Sequence, residues 1–146
     1  MARKFSITSA NTNAQLVNSL FPAGLKFENF AVDNAWTQEL IQQIEARMGV
    51  DGYISFGYTP SPKPISFQFQ PNSPTVDRLD YLVQTQDLMQ EAIVSQLVIN
   101  LKSIKKIVTL TNGACVTNKL LPNGAKVLEP MPYDFIFESV NVAPMA

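Results

Sequence analysis

Polar and apolar residues alternate most clearly between Tyr53 and Phe69, in the stretch YISFGYTPSPKPISFQF. Ile54, Phe56 and Tyr58 alternate with Tyr53, Ser55 and Gly57; Ile65, Phe67 and Phe69 alternate with Ser66, Gln68 and Gln70. Successive side chains leave opposite faces of a pleated backbone, so a period of two predicts two strands. Thr59 to Pro64, with prolines at 60, 62 and 64, lies between them. The pattern therefore predicts a hairpin with a rigid, hydrophilic tip, its Ile54/Phe56/Tyr58 face packed in a core.

Leu25–Val32 alternates in the same way, with Leu25 and Phe27 opposite Lys26 and Glu28, and reads as a strand. Ile93–Leu101 and Ile107–Thr111 are rich in β-branched residues. Asn112-Gly113 suits a tight type I′ turn into a further strand, Ala114–Lys119. Asn123-Gly124 repeats the dipeptide inside a longer loop, Leu121 to Pro130. Tyr133–Val140 closes the pattern, with Tyr133, Phe135 and Phe137 on one face. Residues 1–24 are expected to form an irregular arm, since Ser9–Gly24 is polar and interrupted by Asn, Pro and Gly. Residues 141–146 are expected to be a tail.

Two segments carry a helical period. In Pro71-Asn72-Ser73-Pro74, Ser73 suits an N-cap and Pro74 the first helical position, where its missing N–H costs nothing. Val76, Leu79, Leu82, Val83 and Met89 then form an apolar stripe as far as about Gln90, and Asp77 sits where the helix dipole favours an anion. Trp36, Leu40, Ile41, Ile44 and Met48 also fit a helical stripe, although Leu40–Ile44 would suit a twisted strand; periodicity alone favours helix there. Together these elements predict a mainly β fold with one helix: a β-sandwich or barrel of about seven strands, the helix covering an open end or edge, in a single domain spanning 1–146.

Composition bears mainly on the surface. Only 16% of residues are charged against 46% hydrophobic, where about 25% charged is usual. Either some surface meets another protein, or Gln, Asn, Ser and Thr do the solvating. A net charge of −1, with Lys102, Lys105 and Lys106 as the densest cationic group, argues against binding driven by nucleic-acid phosphates. No apolar run approaches the ~20 residues of a membrane span. The first eight residues lack the hydrophobic core of a secretion signal, so synthesis in the cytoplasm is expected.

Candidate chemistry is sparse. With no histidine and one cysteine, His-activated nucleophiles and a structural zinc site are excluded. Cys115, in a strand-like setting, reads as a buried thiol. No phosphate loop or nucleophile elbow occurs. Asp77, Asp80 and Asp87 share a helix face and read as solvated rather than as an acid–base group or calcium site. Asp51 beside Gly52 reads as a turn former, with an interface hydrogen bond as its alternative. Trp36 alone is no stacking platform and reads as core or interface. No catalytic, cofactor-binding or metal-binding residue is therefore expected, and no enzyme activity.

The order of Met48-Gly49-Val50-Asp51-Gly52, Ile65-Ser66-Phe67-Gln68-Phe69, Pro71-Asn72-Ser73-Pro74 and Tyr133-Asp134-Phe135-Ile136-Phe137-Glu138 resembles that of tail tube proteins of contractile-tailed bacteriophages, across roughly Leu25 to Val140. Each motif is short; their order and spacing carry the resemblance. It implies a sandwich or barrel with a flanking helix, like the hemolysin-coregulated proteins of type VI secretion. It also implies an extended Trp36–Met48, hexameric rings stacked into a hollow tube, DNA passing through without specific binding, and sheath and baseplate proteins as partners in a virion tail. A heterologous ring would use sheet edges that are otherwise hazards. The Thr59–Pro64 tip, the Ser9–Gly24 arm and the Leu121–Pro130 loop are the expected contacts between rings. The same fold would serve a tube initiator or terminator, or the tube of a bacteriocin or secretion system. A ligand-binding sandwich with an exposed aromatic platform is the reading from a different class.

Overall fold

The computed structural model describes residues 12–28 and 35–144. Nine strands and one helix follow in order: β1 (Asn13–Val17), β2 (Leu25–Lys26), β3 (Trp36–Gln38), β4 (Ile44–Met48), β5 (Ile54–Tyr58), β6 (Lys63–Phe69), α1 (Pro74–Met89), β7 (Ser95–Leu101), β8 (Lys106–Asn118) and β9 (Met131–Pro144). Seven strands form one antiparallel sheet in the order β2-β1-β7-β8-β9-β6-β3, and β4 and β5 form a separate two-stranded ribbon. The mainly β expectation with one helix holds.

Alternation places the core. Ile65, Phe67 and Phe69 on β6 and Tyr133, Phe135 and Phe137 on β9 bury one face of adjacent strands, in the register Ile65↔Phe135 and Phe67↔Tyr133. Phe27 meets Phe67 and Phe69 edge-on, with ring centroids 5.0 and 5.2 Å away, the geometry that aromatic quadrupoles favour. The sheet coils strongly: Trp36 of β3 and Ile99 of β7 line one gap although three strands lie between theirs. Val76, Leu79, Leu82 and Val83 of α1 complete the core.

The helix begins as the Ser-Pro signal predicts. Ser73 Oγ accepts from Thr75 N at 3.2 Å and donates to the Glu28 carbonyl at 2.6 Å. Thr75 Oγ1 donates to the Lys26 carbonyl and accepts from Glu28 N. These bonds tie the helix start to the strand end beside it. Gln90, in the left-handed region at φ 57°, ends the helix. Met89, assigned to the stripe, is exposed, because the buried face ends at Val83.

Several expectations are corrected. Trp36–Met48 is not helical: β3 pairs with β6 and β4 with β5. Ile44, Ala46 and Met48 also fit a period of two, and pairing with β5 selects it. Tyr53–Phe69 is not a hairpin, because β5 takes β4 as its partner. The Gly49–Tyr53 turn closes that pair locally, with Gly49 N donating to Tyr53 O at 2.8 Å and Gly52 N to Gly49 O at 3.0 Å. The prolines at 60 and 62 then redirect the chain into the main sheet, since proline fixes φ and offers no ladder donor. Ile54, Phe56 and Tyr58 are accordingly exposed rather than in the core.

Asn112-Gly113 is not a turn either. β8 runs straight through it as a bulge, with Asn112 at φ 55° and a register shift against β7. A Cβ on Gly113 would come 2.2 Å from the Phe137 ring, so the glycine serves a close approach. Within the expected arm, Asn13–Val17 is strand β1, paired with β7, because Ala14 and Leu16 bury inward; residues 1–11 lie outside the described residues. Residues 141–144 of the expected tail continue β9 against Lys106–Thr109, and 145–146 are not described. Of the Leu25–Val32 strand, Leu25–Lys26 is paired, and 29–34 lie outside the described residues.

Candidate functional site: an uncovered apolar ribbon

The candidate surface is the β4–β5 ribbon. Its register is Ile44↔Tyr58, Ala46↔Phe56 and Met48↔Ile54. Paired residues of an antiparallel ladder point to the same side, so all six lie on one face. The other face carries Glu45, Arg47, Ser55 and Gly57, with Arg47 Nε 3.5 Å from Glu45 Oε1. The amphipathic alternation of a half-buried strand is thus complete, yet nothing among the described residues buries the apolar half. Ile44 is 46% exposed, Met48 66%, Ile54 51%, Phe56 68% and Tyr58 67%. At the tip, Asp51 Oδ1 accepts from Tyr53 N at 3.2 Å, and Gly52 takes φ 87°; Asp51 is the turn former that its neighbour suggests. At the base, Thr59 N donates to Gln43 O at 2.9 Å and holds the two linkers together.

A second apolar surface is the loop from Lys119 to Pro130. Leu120, Leu121, Val127 and Leu128 are exposed there. Asn123 braces the loop: its Oδ1 accepts from Lys119 Nζ, its Nδ2 donates to Glu129 Oε2 at 3.0 Å, and its carbonyl accepts from Glu129 N at 3.2 Å.

The remaining sequence candidates fall elsewhere. Trp36 packs against the core. Cys115 is buried; desolvation first, then the charge of Asp134, pushes its thiol up to about 12, against a weaker opposing backbone hydrogen bond with Thr117. Asp80 is not a simply solvated side chain, because it accepts the hydroxyl of Tyr133 from the core strand. Asp77 and Asp87 are exposed.

One groove, of about 650 Å³, runs beneath the Thr59–Lys63 linker beside Asn112 and Glu138. Around it Asn112 Nδ2 donates to Glu138 Oε2 at 2.7 Å, the Thr111 and Ser139 hydroxyls bond together, and Lys63 Nζ donates to the Ser61 carbonyl at 2.6 Å, while the buried Ser61 hydroxyl has no partner among the described residues. No nucleophile is set against a base there. Among the described residues, no group of three or more His, Cys, Asp or Glu side chains is placed to hold a metal ion, and no helix is long and apolar enough to cross a membrane.

The exposed Phe56 and Tyr58 meet the aromatic requirement of a sugar platform. Their neighbours on that face are Ile44, Ala46, Met48 and Ile54, however, and supply no polar side chain to orient a hydroxylated ring; such a face suits another protein. The sequence pattern misses the ribbon because it assigns Ile54, Phe56 and Tyr58 to the core. The signal that could find it is the tight Gly49–Gly52 turn, which favours pairing with the preceding segment.

The family model described as Tail fiber protein gp32 matches residues 5–141. The chain belongs to that family. No curated protein matches it. Solved structures with the same fold include a chain of the sheath/tube terminator of the extracellular contractile injection system PVC in its extended state, with a TM-score of 0.69 and 10% identity over 97% of this chain and 99% of that one. A chain of the PVC sheath–tube complex in the extended state gives 0.65 at 9% identity, over 97% and 94%. A chain of the 6-fold symmetrised baseplate of the anti-feeding prophage gives 0.59 at 11%, over 97% and 98%. At these identities the likeness is one of fold. The family description is that of a tail protein and does not single out the tube family that the sequence motifs resemble.

Proposed function

We propose that this chain is a structural, non-catalytic subunit of the tail tube of a contractile phage-type particle, forming hexameric rings that stack into a hollow conduit for DNA. The observation that carries this reading is the β4–β5 ribbon, with a whole apolar face and no cover from the described residues. A two-stranded ribbon is marginal on its own in water, and an exposed apolar patch of this kind marks a protein contact. Superposition on chains of a sheath–tube complex and of a 6-fold symmetrised baseplate supports a ring-forming role beside sheath and baseplate partners. In this reading the protein is made in the host bacterial cytoplasm and resides in the tail, and its low charge suits a conduit that does not grip DNA. A second reading, a tube terminator, is favoured by the superposition on the PVC sheath/tube terminator.

Sedimentation velocity and negative-stain microscopy across a concentration range test the proposal. Six-membered rings that stack are expected, whereas a terminator gives rings that do not stack. Compact monomers at every concentration would sink both readings.

A further inference from the structure

The chain holds two Asn-Gly dipeptides, at 112–113 and 123–124, and the fold treats them in opposite ways. Gly113 is buried in β8 and paired on both sides, with Ser95 and Phe137, and Asn112 Nδ2 is tied to Glu138 Oε2. Asn123 and Gly124 are exposed. A Cβ on Gly124 would meet nothing within 4 Å, and Gly124 N donates to no group among the described residues. An asparagine side chain is an acyl group. A backbone nitrogen free to swing toward it, with no side chain in the way, is a nucleophile kept at close range.

We propose that Asn123 is a site of spontaneous self-modification, converting through a succinimide to aspartate and isoaspartate, and that the bonds bracing its loop activate it. This stands apart from the assembly reading.

The chemistry balances with water as co-reactant. Gly124 N gives its proton to a solvent base and bonds to Asn123 Cγ. The Cγ–Nδ2 bond breaks, and Nδ2 leaves as ammonia with a proton from water. Water then opens the ring at Cγ, giving aspartate, or at the main-chain carbonyl carbon, giving isoaspartate. Two contacts favour the first step. Lys119 Nζ donates to Asn123 Oδ1, the oxygen that gains negative charge as Cγ is attacked. Glu129 N donates to the Asn123 carbonyl at 3.2 Å, the oxygen that shares the charge of the deprotonated Gly124 nitrogen. The product undoes the brace. Asn123 Nδ2 donates to Glu129 Oε2 at 3.0 Å; a carboxylate in its place offers no proton and repels Glu129. Isoaspartate also takes the carbonyl that accepts from Glu129 N out of the main chain. The exposed Leu120, Leu121, Val127 and Leu128 then ride on a loop without its side-chain tie to Glu129.

Peptide mapping by mass spectrometry, on the full folded chain held in mildly alkaline buffer, tests this. Asn123 should show the mass loss of ammonia and then the mass gain of an amide turned acid, split between aspartate and isoaspartate. Asn112 should convert slower by about two or more orders of magnitude, because its ladder must open first. In urea the two should convert alike. Lys119→Met keeps the aliphatic stem and removes the polarising charge; once circular dichroism confirms its fold, it should convert Asn123 about fivefold more slowly, a smaller effect than in a buried oxyanion site because water screens the charge. An unchanged or faster rate in that variant would overturn the activation. Folded wild-type chains in which Asn123 outlasts or merely matches Asn112 would overturn the site itself. A permanent loss of ammonia that also removes the trypsin cut after Lys119 would mean attack by Lys119 Nζ to form an isopeptide bond, and would overturn the succinimide route.

Discussion

Tyr133 is fully buried in β9 and donates its hydroxyl to Asp80 on α1. Desolvation raises the Asp80 carboxyl above its ordinary value of 3.8, the hydrogen bond from Tyr133 opposes the rise, and the charge of Asp77 adds to it. The Tyr133 phenol is also raised, first by burial and then by Asp80. The sign for stability follows from proton linkage. Below 3.8 both folded and unfolded chains keep the Asp80 proton. As the pH climbs, the unfolded chain releases it first, so this group's contribution falls until the folded value is passed and is constant thereafter. Asp80→Asn keeps an acceptor for the hydroxyl and removes the charge. It is expected to match or exceed wild-type stability near pH 7 and to lose that advantage as the pH falls toward about 4. Urea midpoints for both proteins across that range check it; an advantage that grows on acidification would refute the assignment.

At the level of elements, α1 is held most firmly at its start. Ser73 caps Thr75 and bonds to the Glu28 carbonyl, so Ser73→Ala should cost about 1–2 kcal/mol, readable as a lower denaturant midpoint with an unchanged slope. Serine and proline in adjacent positions act within one turn, which is why this boundary is legible in the sequence alone. The Tyr133/Phe135/Phe137 face is legible too, because an alternating aromatic run has only one inward side. Pairing partners are not. A strand pattern states which face is apolar and leaves open which neighbour, or which molecule, covers it. Ile54, Phe56 and Tyr58 therefore read as core residues, and Asn112-Gly113 reads as a hairpin turn although Phe137 needs a bare backbone beneath it. Trp36–Met48 misleads for a related reason: its stripe fits two periods, and the choice is made by β5 and β6 rather than within the segment.

The whole molecule divides into a deeply packed sheet with its helix and a ribbon joined to it through two short linkers. Local stability should divide in the same way. In dilute protein, the amides of Ile44–Met48 and Ile54–Tyr58 should exchange faster than those around Leu110 and Phe135 by about two or more orders of magnitude. On assembly the ribbon amides should slow. Exchange measured by mass spectrometry before and after assembly would detect this, and ribbon amides that stay fast in assembled particles would separate the ribbon from the contact. At this scale the low charge of the chain already hints at a shared surface. Its location needs the fold, because Ile44–Tyr58 becomes an uncovered ribbon only through the pairing of β4 with β5.

The buried thiol has a practical corollary. With its ionisation pushed up by burial, Cys115 stays almost wholly in the unreactive thiol form at neutral pH. Since it is the chain's sole sulfhydryl, a cysteine introduced on the ribbon would take a maleimide dye or gold label by itself, so single particles could be followed by light or electron microscopy without first altering the native residue.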